Sequence, residues 1–148
     1  METLRKNYTS ALVINDKGKM LLQLKNDSYP FWPNCLATFG GGINDFEAPR
    51  ACMMRAFGIE TLVKLKNFVY FCEQDFSDES KFGNKIYREG RIYYFSARIS
   101  ENDAGKIETP EGRGHGFFSE EELRKKNELG QIIPYQHEVI EKFLDSLK

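Results

Sequence analysis

Phe39-Gly40-Gly41-Gly42-Ile43-Asn44-Asp45-Phe46-Glu47-Ala48-Pro49-Arg50-Ala51-Cys52-Met53-Met54-Arg55-Ala56-Phe57-Gly58-Ile59-Glu60-Thr61-Leu62-Val63 organises the chain. Three glycines end a short apolar run, Cys35 to Phe39. Without a Cβ the backbone can turn sharply or approach a ligand closely. Pro49 suits the first residue of a helix, where its missing N–H is an orphan in any case. The pattern predicts a helix from Pro49 to Phe57. Gly58 leaves two readings open. Inside the helix it costs about 1 kcal/mol relative to alanine; as a left-handed cap it ends the helix and takes Glu60 off its face.

Gly41, five residues, Glu47, seven residues, Arg55 and then Glu60 five further on is a rare spacing. It resembles the Nudix box, Gly-x5-Glu-x7-Arg-Glu-U-x-Glu-Glu-x-Gly-U, where U is a bulky apolar residue. Gly41, Glu47, Arg55, Phe57, Glu60 and Val63 fit; Ala56, Ile59 and Leu62 replace Glu, Glu and Gly. The resemblance runs end to end: hairpin, aromatic loop, glycine stretch, helix, strands, Phe117-Phe118-Ser119-Glu120-Glu121-Glu122-Leu123 and a closing helix. It implies an α+β fold, the α/β/α sandwich around a mixed β-sheet, as one domain over residues 1–148. It also implies hydrolysis of a phosphoanhydride in a nucleoside diphosphate derivative, with Mg²⁺ or Mn²⁺ and water. Glu47 and Arg55 would form the ion pair that braces the box. Glu111 lies where many members place one more acidic residue near the metal.

Composition agrees with a soluble globular domain: 148 residues, 41% hydrophobic, 14% aromatic. A net charge of −1 offers no field for a nucleic-acid polymer or an anionic membrane. No apolar run approaches the ~20 residues of a membrane span, and the first residues lack the apolar stretch of a secretion signal. Cys35, Cys52 and Cys72 are odd in number and not metal-spaced, which predicts reduced thiols in a cytoplasmic protein. The resemblance also allows a homodimer.

Along the rest of the chain, residues 11–14 and 20–24 read as strands around the turn residues Asn15-Asp16-Lys17-Gly18. Asn26 to Asn34 is a loop whose Phe31 and Trp32 either anchor it or form a stacking platform for a base. Asn67 to Phe76 predicts a strand, Ser77 to Asn84 a loop, and Lys85 to Arg88 and Arg91 to Ile99 two strands around a Glu89-Gly90 turn. Glu101 to Gly114 is a polar connection, and His115 to Phe118 a brief strand. Ser119 and Glu122 form a capping box. Pro134 opens a helix with mostly one apolar face.

Pyrophosphate chemistry needs a hard cation to neutralise charge during attack, and Mg²⁺ takes oxygen ligands. Carboxylates at positions 56, 59 and 60 would lie three and four apart on one helix face. Here only Glu60 remains, so metal binding is expected to be weak. Gly40, Gly41 and Gly42 read as a tight turn or as a phosphate cradle beside a helix N-terminus. Three functions follow. The first is a phosphoanhydride hydrolase with a depleted metal site, using Glu60 and Glu111 for catalysis and the glycines, Arg55 and Trp32 for substrate. The second is a non-catalytic nucleotide- or metabolite-binding module on the same fold. The third is an interaction scaffold.

Overall fold

A computed structural model describes residues 2–81, 83, 85–109 and 114–148. The strands are β1 (Glu2–Arg5), β2 (Tyr8–Ile14), β3 (Met20–Leu24), β4 (Leu36–Ala37), β5 (Gly40–Gly42), β6 (Val69–Glu79), β7 (Ile86–Arg98) and β8 (His115–Phe118). The helices are α1 (Pro49–Thr61), α2 (Glu101–Ala104), α3 (Glu120–Glu128) and α4 (Pro134–Ser146). The strands form one mixed sheet with the order β1-β7-β2-β3-β4, to which β5 adds on β2, β6 on β7 and β8 on β3. β2 lies parallel to β7 and antiparallel to β3 and β5.

β2 shows why helices cover both faces. Successive side chains of a strand point to opposite faces, and all of Ala11 to Ile14 are buried. Ala11 and Val13 join a core with Met53 and Phe57 of α1, while Leu12 and Ile14 join a second core with Val139, Ile140 and Phe143 of α4. The sheet therefore separates the two long helices, as the α/β/α sandwich requires. Ser119 caps α3 with the full capping box, Glu122 returning the bond to the Ser119 amide.

Three local expectations are corrected. The predicted loop after Phe76 is strand as far as Glu79, paired through Glu79↔Tyr87. Its inward positions are Phe76, Asp78 and Ser80, so polar residues hide the two-residue alternation. β7 runs without a turn through Glu89-Gly90. Gly90 is needed for a close approach instead: a Cβ there would stand 1.9 Å from the Lys6 carbonyl oxygen, where β7 changes its parallel partner from β1 to β2. The polar connection begins with a one-turn helix, α2, which Ser100 just before it caps by accepting from the Asp103 amide.

Candidate functional site

The glycines do not turn. Gly40–Gly42 is strand β5, in register with Ser10, Thr9 and Tyr8, and none of the three has a positive φ. They are small because the protein itself is close. A Cβ on Gly40 would meet the Thr9 carbonyl oxygen at 1.9 Å, and one on Gly41 would meet the Ala56 Cβ at 2.9 Å. A loop runs from Gly42 to Pro49, so β5 is not the N-terminus of α1.

Glu47 and Arg55 join the intervening loop to α1. Arg55 Nε donates to Glu47 Oε2 at 2.8 Å and Nη2 donates to Oε1 at 2.9 Å, while Nη2 also reaches the Gly42 carbonyl at 3.0 Å. One guanidinium thus ties helix, loop and glycine strand. The Arg55 bonds, with a further one from the Asn44 amide, hold the Glu47 carboxyl down at about 2.

α1 continues past Gly58, so Glu60 is helical. The helix stops at Leu62, which takes φ 60° and returns its amide to the Gly58 carbonyl. The three positions that would carry carboxylates have separate surroundings. Ala56 is buried against Gly41, Ile59 is 62% exposed, and Glu60 turns toward the sheet. Glu60 Oε1 accepts from the Gly40 amide at 2.8 Å and Oε2 from Gln23 Nε2 at 3.3 Å. Among the described residues no three His, Cys, Asp or Glu side chains gather as a metal would need. Glu111 lies outside the described residues. Beside the strand, Cys52 Sγ packs against Thr9 and the Gly41 and Gly42 carbonyls. Burial pushes the thiols of Cys35, Cys52 and Cys72 up, away from the reactive thiolate.

A cavity of about 230 Å³ opens along the glycine strand, walled by Tyr8, Phe31, Phe76, Tyr135 and Arg88. Behind Arg88 lies a buried acid that sequence reading missed. Asp78 Oδ2 accepts from Arg88 Nη2 at 2.9 Å, Arg88 Nε at 3.1 Å and the Tyr135 hydroxyl at 2.8 Å. Its Oδ1 accepts from Trp32 Nε1 at 2.9 Å. Trp32, read as anchor or stacking platform, therefore bonds to Asp78 and packs edge-on against Tyr135. The only signal for Asp78 was its two-residue step from Phe76, which a run of polar neighbours obscures.

The candidate site is thus a glycine strand laid against α1, an ion pair between Arg55 of that helix and Glu47 of the loop before it, and a ring-lined cavity along the strand. The NUDIX domain model matches residues 4–140, so the chain belongs to the Nudix family. No curated protein sequence matches it. Among solved structures it is similar to the MutT protein from Methanosarcina mazei Go1, with 17% identity, TM-score 0.73, and coverage of 100% of this chain and 99% of that one. It is also similar to an Ap4A hydrolase from C. elegans, with 16% identity, TM-score 0.70, and coverage of 96% and 97%. Members of this family generally use divalent metal ions and act on small nucleotide derivatives. The described donors here do not fit such an ion well: one helix carboxylate, already bonded to an amide, replaces three. Among the described residues, no helix is long and apolar enough to cross a membrane.

Proposed function

We propose that this Nudix protein binds a nucleoside diphosphate derivative along the glycine strand and hydrolyses it weakly, with Mg²⁺ or Mn²⁺ held weakly. The observation that carries this reading is the bonding of Glu60. Its carboxylate is engaged by the Gly40 amide and Gln23, and Ala56 and Ile59 supply no others. A hard cation's affinity depends on how many charged oxygens surround it. Glu60, with Glu111 as the further acid, carries what catalysis remains, and Gly40, Gly41, Gly42, Arg55 and Trp32 belong to the substrate side. Three free thiols support a cytoplasmic location.

The non-catalytic binding module is the second reading, favoured by a cavity that runs along the glycine strand and is lined by rings and cations without a carboxylate among the described residues. Calorimetric titration of Mn²⁺ and Mg²⁺, with and without a panel of nucleoside diphosphate derivatives, separates the two when product release is followed in parallel. Slow release that rises with metal supports the hydrolase. Ligand binding with no release supports the module. Release at ordinary enzyme rates, roughly 1–1,000 per second, overturns the depleted-site reading.

A further inference from the structure

Arg88, at the cavity wall, is held by rings and by a carboxylate. Its guanidinium carbon lies 4.2 Å from the Phe31 ring centroid, 5.5 Å from that of Tyr8 and 5.6 Å from that of Phe76. Aromatic faces thus flank the cation, and Asp78 takes the Nε–Nη2 edge. A guanidinium carries five N–H donors in a fixed fork. Two are used by Asp78. The three that remain, two on Nη1 and one on Nη2, form the end of the fork, and Arg88 lines the cavity.

The rest of the lining matches a flat, acceptor-rich group. Tyr8, Phe31, Phe76 and Tyr135 supply ring surface, and Lys25 is a second cation. Among the described residues no carboxylate lines the cavity; Asp78 stands behind Arg88. Gln136 Oε1, an acceptor nearby, is already bonded to the Thr38 amide. At about 230 Å³ the space is smaller than the roughly 300–1,000 Å³ of pockets that enclose whole ligands. It suits one ring system, with the remainder of the ligand leaving along β5.

We infer that this cavity takes the base of the bound nucleotide and that Arg88, positioned by Asp78, selects a 6-oxopurine. The inference rests on the nucleotide-binding reading above. A 6-oxopurine presents O6 and N7 as neighbouring acceptors, the edge an arginine fork reads. Adenine presents an amino donor at the same place, which faces a cation's N–H groups unfavourably. Arg88 and Asp78 also brace β6 against β7, so loss of stability alone does not distinguish recognition from support. Selectivity does.

The test measures dissociation constants of the unmodified protein for guanosine, inosine, 7-deazaguanosine and adenosine, both as nucleosides and as nucleoside diphosphates. Guanosine and inosine should bind alike and roughly tenfold or more tighter than adenosine and 7-deazaguanosine. Arg88→Lys keeps a cation but not the fork, and should erase that ratio. Equal affinities across the set, or a preference that survives in Arg88→Lys, overturns the inference while leaving nucleotide binding intact. Selective binding of the nucleosides with no gain from the diphosphate supports the ring site and overturns the phosphate reading. Absence of binding by any of the eight ligands overturns both. The wild-type series needs no mutant to fold.

Discussion

The amide of Gly40 donates to Glu60 Oε1 across 2.8 Å, joining the glycine strand to the last turn of α1. The pairing of β5 with β2 explains why this amide is available. Antiparallel ladders bond at alternate residues. Ala11 donates to the Phe39 carbonyl and Ile43 to that of Asn7, so the bonded partners fall at every second residue and the Gly40 amide faces away from β2. A charged acceptor makes this the stronger kind of hydrogen bond. Glu60→Gln retains an acceptor and removes the charge; Glu60→Ala removes both. The melting temperature should therefore fall further in Glu60→Ala than in Glu60→Gln, and equal melting would show that the bond contributes nothing.

Asp78 should be among the most sensitive positions in the protein. Its side chain is 2% exposed and that of Arg88 15%. Removing one partner of a buried pair strands the other charge, at a cost of about 3–5 kcal/mol. Asp78→Ala also strands the Trp32 and Tyr135 donors. The expected drop in melting temperature is about 10 °C, at ~2–4 °C per kcal/mol for a chain of this size. A drop of only a degree or two would mean that the network rearranges around water.

Glu47 contributes to stability in a way that acid should remove. Its carboxyl is lowered from an ordinary 4.5 to about 2, first by the Arg55 side chain and then by the Asn44 amide. A lowered folded-state value means the contribution is complete above pH ~4.5 and fades as pH falls toward 2. Arg55→Ala should melt at lower temperature than wild type at neutral pH, and the gap should narrow through that acid window. A gap unchanged down to pH 2 would assign the loss to packing instead of charge.

Gly58 and Leu62 are each in the other's preferred place. Gly58 is helical, and a Cβ there would meet nothing closer than 4.0 Å, whereas Leu62 takes the left-handed φ of 60° that glycine favours. Gly58→Ala should stabilise by about 0.5–1 kcal/mol. Leu62, 57% exposed, loses little packing on becoming Gly, and relief of its left-handed backbone is worth about 1 kcal/mol. Together the changes should raise the melting temperature by a few degrees; a fall in the double variant would show that Leu62 packs more than its exposure suggests.

The elements with simple local chemistry were legible. Asn15 to Gly18 marked the hairpin, Ser119 and Glu122 the cap, Pro49 and Pro134 the starts of the long helices, and Glu47 with Arg55 a contact across eight residues. What stayed hidden depends on distant backbone. Gly90 and Gly40 answer to the carbonyls of Lys6 and Thr9, which no local window contains. The glycines therefore read as turns when they are sites of close packing. Asp78 was hidden for a related reason: its four donors come from Trp32, Arg88 and Tyr135, spread across more than a hundred residues. The helix face at 56, 59 and 60 was legible as composition, but not the inward turn of Glu60 to Gly40.

Restoring the missing acids tests whether ligand loss alone limits hydrolysis. Ile59 is largely exposed, so Ile59→Glu should change stability by no more than ~0.5 kcal/mol. Ala56 is 4% exposed and faces Gly41, so Ala56→Glu must push its side chain out of a packed contact, at about 1–3 kcal/mol. With Glu60 the double variant places three acids at neighbouring helix positions, whose mutual repulsion adds to that loss. Mg²⁺ binding to the folded state should then recover stability as its concentration rises, which a melting series reads without any activity assay. Release of product from at least one nucleoside diphosphate derivative should increase over wild type, and adding Glu60→Gln to the double variant should abolish the increase. A double variant that folds, gains Mg²⁺-dependent stability and still releases nothing would show that the cleft has been given over to binding.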